Sequence, residues 1–352
     1  MARGASPIGQ PAAVIALYFL AACGHDWDTF DPRLAAGGTT ATSGSGAAGG
    51  EASVSSSSSG TPASASSSSS ASTGGGGAGG AGGAAGAAGS GGCAADTLTD
   101  AKNCGACGHD CLGGECLTGF CQPVTIATPM HPIGLVATGT ELYWGDNAND
   151  TITVANKDGT NAAVYTLQVD VRYLATDGTS LFWASPTSIR QRSLGGGPIA
   201  DLVTGTTIEG LNLLLDTIYF TQHDQGLFSA PKLGGAVTPI SVGSAVYAEG
   251  VATDSGIVYW CDNGGTISAF DPQNMTTTAF ITSEAAPAGL CIYGAVAYWT
   301  NQGTGELRSR AIAGGAIQTI VSGLQLPTGV AVDDQAIYWA ELTGGVIRRL
   351  AR

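Results

Sequence analysis

A hydrophobic residue followed by two aromatic residues recurs six times between Leu142 and Trp339, at a spacing close to 40 residues. The six triplets are Leu142-Tyr143-Trp144, Leu181-Phe182-Trp183, Ile218-Tyr219-Phe220, Val258-Tyr259-Trp260, Ala297-Tyr298-Trp299 and Ile337-Tyr338-Trp339. Such a fixed period indicates one repeated supersecondary unit, in which each copy depends on its neighbours to bury its apolar face.

The positions around each triplet indicate what the unit contains. In five repeats a glycine lies ten residues before the last aromatic, and Tyr173 occupies this position in the second repeat. The five glycines are Gly134, Gly210, Gly250, Gly289 and Gly329. An aliphatic residue follows the triplet in every copy, and these residues are Ile152, Ile189, Leu227, Ile267, Leu307 and Ile347. Short β-rich runs alternate with glycine-containing turns and no helical period is present, so each unit is predicted to contain four short strands.

Four-stranded units of this length are typical of propeller blades, so the sequence predicts an all-β, six-bladed β-propeller over residues 123–352. Helical repeats, the alternative, would need an apolar residue at every third or fourth position. The sixth unit reaches Arg352 directly after its third strand, whereas residues 123–127 look like an outer strand. We therefore expect this N-terminal strand to complete the last blade, which would close the ring and leave no unpaired edge there.

The segment Tyr143-Trp144-Gly145-Asp146 resembles the YWTD repeat of lipoprotein-receptor-type six-bladed propellers. The resemblance covers about 230 residues and implies a hydrogen-bond network built on the aspartate after the aromatic pair. Asp146 and Asp262 match that position, Asn301 and Glu341 are polar substitutes, and blades 2 and 3 depart from the pattern.

The N-terminus is predicted to direct export. Residues 1–22 have Arg3 ahead of a short uncharged apolar core, which is typical of a signal peptide and too short to span a bilayer. Leu20-Ala21-Ala22-Cys23 resembles a bacterial lipobox, which implies cleavage and lipidation at Cys23; an ordinary secretory signal is the alternative. Gly24, rather than Asp, follows the cysteine; by its resemblance to enterobacterial lipoprotein sorting, this implies the outer membrane of the cell envelope, on its periplasmic side or at the cell surface. Residues 23–92 are rich in Gly, Ser and Ala and are predicted to form a disordered tether.

A cysteine-rich module is predicted over residues 93–122. Its six cysteines are Cys93, Cys104, Cys107, Cys111, Cys116 and Cys121. In an exported chain they should form three disulfides of unknown connectivity, and a zinc site is the alternative. The run from Asn103 to Cys111 resembles the core of Stig1-like proteins, which implies an extracellular disulfide module. Cys261 and Cys291 are expected to form a fourth disulfide between neighbouring blades, with two buried thiols as the alternative.

The charge balance excludes some partners. With 27 acidic against 13 basic residues and a net charge of −14, the chain is not suited to nucleic acid or anionic membrane surfaces, so membrane contact is expected only through the lipid anchor. We expect a monomer.

The candidate ligand face comprises loop residues that a propeller would bring to one end of its axis. They are His131, Asp146, Glu209, His223, Asp224, Asp262, Glu284 and Glu341. They could bind a sugar or a cation such as calcium, or they could be solvated loop charges without a site. No run with calcium-loop or metal-ligand spacing supports a cofactor, so none is predicted, and no catalytic residue is assigned.

The sequence thus favours a binding module for a glycan, a peptide or an envelope protein, without turnover. A propeller enzyme of the lactonase or lyase type is the second interpretation, and a structural spacer is the third.

Overall fold

The computed structural model describes residues 96–205, 207–242 and 247–352, and all regular secondary structure in these ranges is β-strand. The predictions for the signal peptide, Cys23, the tether and Cys93 lie outside the described residues. Across the described ranges, no helical segment has the length and hydropathy needed to cross a membrane.

The chain forms a short hairpin followed by six four-stranded antiparallel sheets. The hairpin consists of β1 (Cys116–Leu117) and β2 (Phe120–Cys121), and β3 (Val124–Ala127) follows it. Blades 1 to 3 contain β4 (Pro132–Ala137), β5 (Glu141–Asp146), β6 (Thr151–Asn156) and β7 (Ala163–Leu167); β8 (Leu174–Thr176), β9 (Ser180–Ser185), β10 (Ser188–Ser193) and β11 (Ala200–Thr204); and β12 (Ile208–Leu214), β13 (Thr217–Gln222), β14 (Gly226–Pro231) and β15 (Thr238–Val242).

Blades 4 to 6 repeat the same order from the inner strand outwards. Their strands are β16 (Ala248–Asp254), β17 (Ile257–Asp262), β18 (Thr266–Asp271) and β19 (Thr276–Ile281); β20 (Pro287–Tyr293), β21 (Val296–Asn301), β22 (Glu306–Ala311) and β23 (Gln318–Ser322); and β24 (Pro327–Val332), β25 (Ala336–Glu341) and β26 (Val346–Ala351). The prediction of an all-β, six-bladed propeller is confirmed.

The outer strand of blade 6 is β3, from the other end of the repeat array. It pairs antiparallel with β26, with Ala127 opposite Ile347 and Val124 opposite Arg349. The predicted closure by an N-terminal strand is therefore confirmed. An ion pair of 2.6 Å between Lys157 Nζ of blade 1 and Asp333 Oδ2 of blade 6 adds a contact across the same junction.

The apolar core is divided among the junctions between blades. Every residue of the six triplets is buried on the second strand of its blade, and the six following aliphatic residues are fully buried on the third strand. Among the described residues the core forms six clusters, and each joins side chains of two neighbouring blades. A blade alone would expose this surface to water, which is why the repeats fold as a ring.

The glycine column marks where the inner strands approach each other most closely. A Cβ added at Gly210, Gly250 or Gly289 would overlap a backbone carbonyl oxygen of the next blade. The glycine is therefore required by steric contact with the neighbouring blade, as the crowded inner strand in the sequence suggested.

The predicted Cys261–Cys291 disulfide is wrong, because Cys261 is a buried free thiol. Its Sγ lies 2.9 Å from the carbonyl oxygen of Ala288, the residue before the glycine of the next blade. Cys291, on the inner strand of blade 5, lines the central channel and is disulfide-bonded, but not to Cys261. The two cysteines lie in neighbouring blades as expected, but they are not bonded to each other.

The cysteine-rich module carries the disulfides Cys104–Cys116 and Cys111–Cys121, and Cys107 is also disulfide-bonded. Cys104, Cys111 and Cys121 have sulfur atoms close enough to bind one metal ion, but all three sulfurs are already in disulfides, which argues against the zinc interpretation. The bridged cysteines pack into the same apolar cluster as blades 5 and 6.

Candidate functional site

Some of the predicted ligand-face residues have structural roles, and others belong to one polar cluster. Asp146 is structural. Its carboxylate accepts hydrogen bonds from the backbone N–H groups of Met130 and His131, each at 3.1 Å, and from Asn149 Nδ2 at 2.7 Å. Burial alone would raise the pKa of Asp146, but these donors hold it below its ordinary value. His131 contributes its backbone to this loop, and its side chain is exposed.

The Glu284 carboxylate also binds neighbouring side chains, all of them in blade 5. It accepts hydrogen bonds from Trp299 Nε1 at 2.8 Å and from Asn301 Nδ2 at 2.6 Å, and it pairs with Arg308 at 3.1 Å. We call this arrangement the tryptophan latch, because the indole of the triplet and an arginine share one acceptor.

The tryptophan latch recurs in blades 2 and 6. Glu341 accepts from Trp339 Nε1 at 3.1 Å and pairs with Arg348 at 2.8 Å. In blade 2 a neutral residue, Gln168, accepts from Trp183 Nε1 and from Arg190 Nη1, each at 2.9 Å. Glu284 and Glu341 are therefore buried acceptors that fix blade loops, and they do not present free carboxylates to a ligand.

The Asp262 and Asp224 carboxylates make fewer contacts with the protein than those of Asp146, Glu284 and Glu341. Asp262 is half-buried and accepts one backbone hydrogen bond from Thr266 at 3.3 Å; burial raises its pKa. The Asp224 side chain is exposed and lies 3.9 Å from His223 Nε2.

The residues immediately before the glycine column form a ring where the inner strands begin. We call this end of the axis the mouth. Its six residues are Ile133, Arg172, Glu209, Glu249, Ala288 and Thr328. The charged members come from the consecutive blades 2, 3 and 4, whereas blades 1, 5 and 6 contribute an aliphatic residue, an alanine and a threonine. The mouth is therefore charged on one side only.

Tyr173 crosses this mouth. It replaces the glycine of the other blades, and the inner strand β8 is only 3 residues long and begins after it. The Tyr173 hydroxyl donates to Glu249 Oε2 at 3.2 Å, which joins blade 2 to blade 4 past the intervening blade. The ring of Tyr173 is buried and lines the central channel.

Glu209 organises the rest of the polar side. Its carboxylate lies 3.6 Å from Arg172 Nε and 3.6 Å from His223 Nδ1. The His223 imidazole makes an edge-to-face contact with the exposed ring of Tyr247, with centroids 4.1 Å apart. Arg172, Tyr173, Glu209, His223 and Glu249 together form what we call the mouth cluster.

The electrostatics of the mouth cluster differ from those of the structural carboxylates. Burial raises the pKa of Glu249 to about 7, and the nearby negative charge of Glu209 adds to this effect. Burial also raises the pKa of Glu209, although Arg172 and His223 oppose the rise. The pKa of Tyr173 is raised well above its ordinary value, so its hydroxyl stays protonated and serves as a donor. Glu249 therefore exchanges a proton close to neutral pH.

The channel beneath the mouth is narrow and mostly apolar. It has a volume of about 50 Å³ and is lined by the six inner strands. Leu135, Leu211, Val251, Leu290 and Val330 come from five different blades at one level of this lining. This volume holds a few water molecules at most, so the channel cannot enclose a larger ligand.

The sequence predicted only part of this cluster. Glu209 and His223 belong to the predicted ligand face and come together, whereas Arg172, Tyr173 and Glu249 were not assigned to a site. Two sequence signals were available: Tyr173 is the one break in the glycine column, and a glutamate precedes the glycine in both blades 3 and 4.

The chemistry of the mouth cluster is that of proton exchange and polar recognition. It offers a carboxyl group that titrates near neutral pH, a phenol donor, an imidazole and a guanidinium. Across the described residues, no group of histidine and acidic side chains is close enough to bind a metal ion.

No protein-family model matches this sequence, and no curated protein matches it. Solved structures with the same fold are numerous. A gluconolactonase from Xanthomonas campestris aligns with a TM-score of 0.56 and 15% identity, over 65% of this chain and 89% of that chain. An auxiliary nutrient binding protein from Bacteroides thetaiotaomicron aligns with a TM-score of 0.54 and 11% identity, over 64% and 69% of the two chains.

Virginiamycin B lyase from Staphylococcus aureus aligns with a TM-score of 0.51 and 12% identity, over 66% of this chain and 98% of that chain. At these identities the similarity establishes the six-bladed propeller fold and nothing more specific. The comparison structures include both a binding protein and enzymes, so the function has to be argued from the mouth itself.

Proposed function

We propose that this protein is a binding module that holds the polar part of a ligand at the mouth of its propeller, without converting it. The observation that carries the proposal is Tyr173, which occupies the position of the glycine in the other five blades and whose hydroxyl reaches Glu249 two blades away. A purely structural ring would retain glycine there, as the other five blades do. The one-sided distribution of Arg172, Glu209 and Glu249 supports a ligand of defined orientation.

The proposal is tested by the thermal stability of the full-length protein, followed through its tryptophan fluorescence, against a panel of oligosaccharides, peptides and small polar metabolites. A true ligand raises the melting temperature of the wild type and of Asp216→Asn, a control at the opposite end of the β12–β13 hairpin. It has no effect on Tyr173→Gly or Glu249→Gln. Stabilisation that survives both mouth substitutions would place the ligand elsewhere and refute the proposal.

Mass spectrometry of the ligand recovered from the same samples distinguishes binding from catalysis. We expect the ligand to be recovered unchanged. A product that forms with the wild type and not with Glu249→Gln would favour the second interpretation, an enzyme of the lactonase or lyase type, because Glu249 has the pKa of a general acid or base. If no ligand class acts on the mouth, the structural-spacer interpretation gains support.

We further propose that the binding module is monomeric and is displayed from the cell envelope through a lipid on Cys23 and the tether of residues 23–92. The YWTD-like and Stig1-like resemblances, together with the disulfides Cys104–Cys116 and Cys111–Cys121, support an exported protein. Labelled palmitate should be incorporated into the wild type and not into Cys23→Ala, and the variant should leave the membrane fraction. Equal labelling of both forms would refute the anchor.

A further inference from the structure

The mouth has more negative than positive groups. Asp170, Glu209, Glu249 and Asp224 contribute carboxyl groups, and Asp170 is close enough to Glu209 to raise its pKa. Opposing them are the guanidinium of Arg172 and the imidazole of His223, and both lie against Glu209 at 3.6 Å. Both basic groups therefore pair with Glu209, which is one of the four carboxylates. His223 also lies 3.9 Å from Asp224.

Glu249 is the carboxyl group left without a basic partner. Its one hydrogen bond comes from the neutral hydroxyl of Tyr173, and no ion pair reaches it from residues 96–205, 207–242 or 247–352. Glu249 retains some solvent exposure at the mouth, although its carboxyl group is mostly buried. A mostly buried carboxylate without a counter-ion is poorly stabilised by the protein alone, and an incoming cation would correct this deficit.

The other surroundings also suit a cation. Tyr173 lies beside Glu249, and Tyr247 packs against His223 on the exposed rim, so two aromatic rings flank the carboxylates. Aromatic faces stabilise ammonium and guanidinium groups. Across the mouth, Ile133 offers no competing charge, and an aliphatic stem attached to the cation could rest against it.

Resting on the ligand site proposed above, we infer that the mouth cluster recognises an organic cation, an ammonium or guanidinium group, with Glu249 as its counter-ion. Arg172 and His223 hold Glu209 in place beside it, and Tyr173 orients the Glu249 carboxylate. The narrow channel below stops the cation at the mouth.

Cation binding at the mouth should depend on pH. The charged and titratable groups facing Glu249 are Tyr173, Glu209, Arg172 and the Cys261 thiol. Only the ionised form of Glu249 attracts a cation, and that form becomes dominant as the pH rises through about 7. From pH 6 to pH 8 the affinity should therefore rise by about tenfold, following the ionised fraction.

The test uses butylguanidine and butylamine as cationic probes, with butanol and butyrate as neutral and anionic controls of equal chain length. Affinities of the full-length protein are measured by NMR titration, following the imidazole signals of His223. Butylguanidine should give saturable shifts at millimolar concentration, roughly what so small a ligand allows. Glu249→Gln should weaken this binding at least tenfold and abolish its pH dependence, whereas Asp216→Asn should change neither.

Each result bears on a definite claim. If butanol, butyrate or an oligosaccharide shifts the His223 signals saturably and the cations do not, the cation assignment is overturned while the ligand site survives. If the cations bind equally well to Glu249→Gln, Glu249 is not the counter-ion and the inference is again overturned. If no probe perturbs the mouth, the cation inference fails, and the ligand panel described above decides the proposed function separately. Circular dichroism of the Gln variant confirms that it is folded.

Discussion

Cys261 occupies a position that threonine holds in two other blades. Thr221 Oγ1 lies 2.8 Å from the N–H of Gly210 and donates to the carbonyl of Glu249 at 2.6 Å. Thr300 links Gly289 and Thr328 with the same two distances. The Cys261 thiol replaces this hydroxyl and reaches Ala288. Its role is therefore to bridge two blades, and burial raises its pKa well above the ordinary value, so it is not a reactive thiol in the folded protein.

Replacing Cys261 by threonine should preserve the fold, because the new side chain has the size and the hydroxyl of its counterparts in blades 3 and 5. Cys261→Ala should lower the free energy of unfolding by about 1–2 kcal/mol through the lost bridge and the small cavity. Denaturant titration measures both variants. Thiol counting on denatured, unreduced protein should give one group fewer for Cys261→Thr than for the wild type; an equal count would contradict the free thiol.

Glu249 should make stability depend on pH in the range between its ordinary pKa of 4.5 and about 7. In that range the folded state keeps the proton that the unfolded state has released, so stability falls as the pH rises. The total effect is about 3 kcal/mol, given roughly 1.4 kcal/mol for each pKa unit. Glu249→Gln should remove this dependence and should be more stable than the wild type at pH 8, but not at pH 5.

The measurement is the difference in unfolding free energy between wild type and Glu249→Gln at pH 5 and pH 8. Taking this difference cancels the contributions of the other carboxyl groups, such as Asp146, whose pKa is shifted downwards. A difference that does not change with pH would mean that Glu249 is solvated as an ordinary surface carboxyl group.

At the scale of elements, the tryptophan latch holds the third strand of a blade in position against the second strand, which carries the aromatic triplet. Each latch joins the indole on the second strand to an arginine on the third strand through one acceptor in a loop or at a strand end. Blade 2 uses the neutral Gln168 for this purpose. The latch therefore requires an acceptor for the indole N–H more than it requires a negative charge.

Glu284→Gln is the corresponding change in blade 5 and should lower the free energy of unfolding by about 1 kcal/mol or less, because the amide oxygen still accepts from Trp299. Glu284→Leu should lower it by about 3 kcal/mol, since Trp299 and Asn301 lose their acceptor and Arg308 keeps only Glu306 as a partner. Chemical denaturation compares the two. Equal losses for Gln and Leu would show that the charge, and not the acceptor, holds the blade together.

At the scale of the whole molecule, ring closure depends on a strand that is far from its partners in the sequence. Strand β3 supplies the outer edge of blade 6, and Arg349 on the neighbouring β26 donates to the carbonyl groups of Lys157 and Leu112. Blade 1, blade 6 and the cysteine-rich module therefore meet at one junction. Loss of β3 would expose the β26 edge and the apolar side chains beneath it.

A fragment of residues 129–352 should melt about 10 °C below a fragment of residues 123–352, because the loss of a paired strand costs about 3 kcal/mol in a domain of this size. The control is substitution of Thr125 by valine in the longer fragment, which keeps the strand and should leave the transition nearly unchanged. Calorimetry of the two fragments measures the effect, and coincident transitions would contradict the role of β3 in closure.

The sequence alone determined the repeat, the number of blades and the closing strand, because a period near 40 residues and the alternation of strands and turns are local patterns. It also marked Tyr173 as an exception. Only the tertiary structure decided what that exception does, since Tyr173 and Glu249 are 76 positions apart and meet only when three blades surround one axis. The same holds for Cys261 and Cys291: their places in neighbouring blades suggested a disulfide, and only the folded structure shows that the Cys261 thiol is free, because which groups meet depends on how neighbouring blades pack.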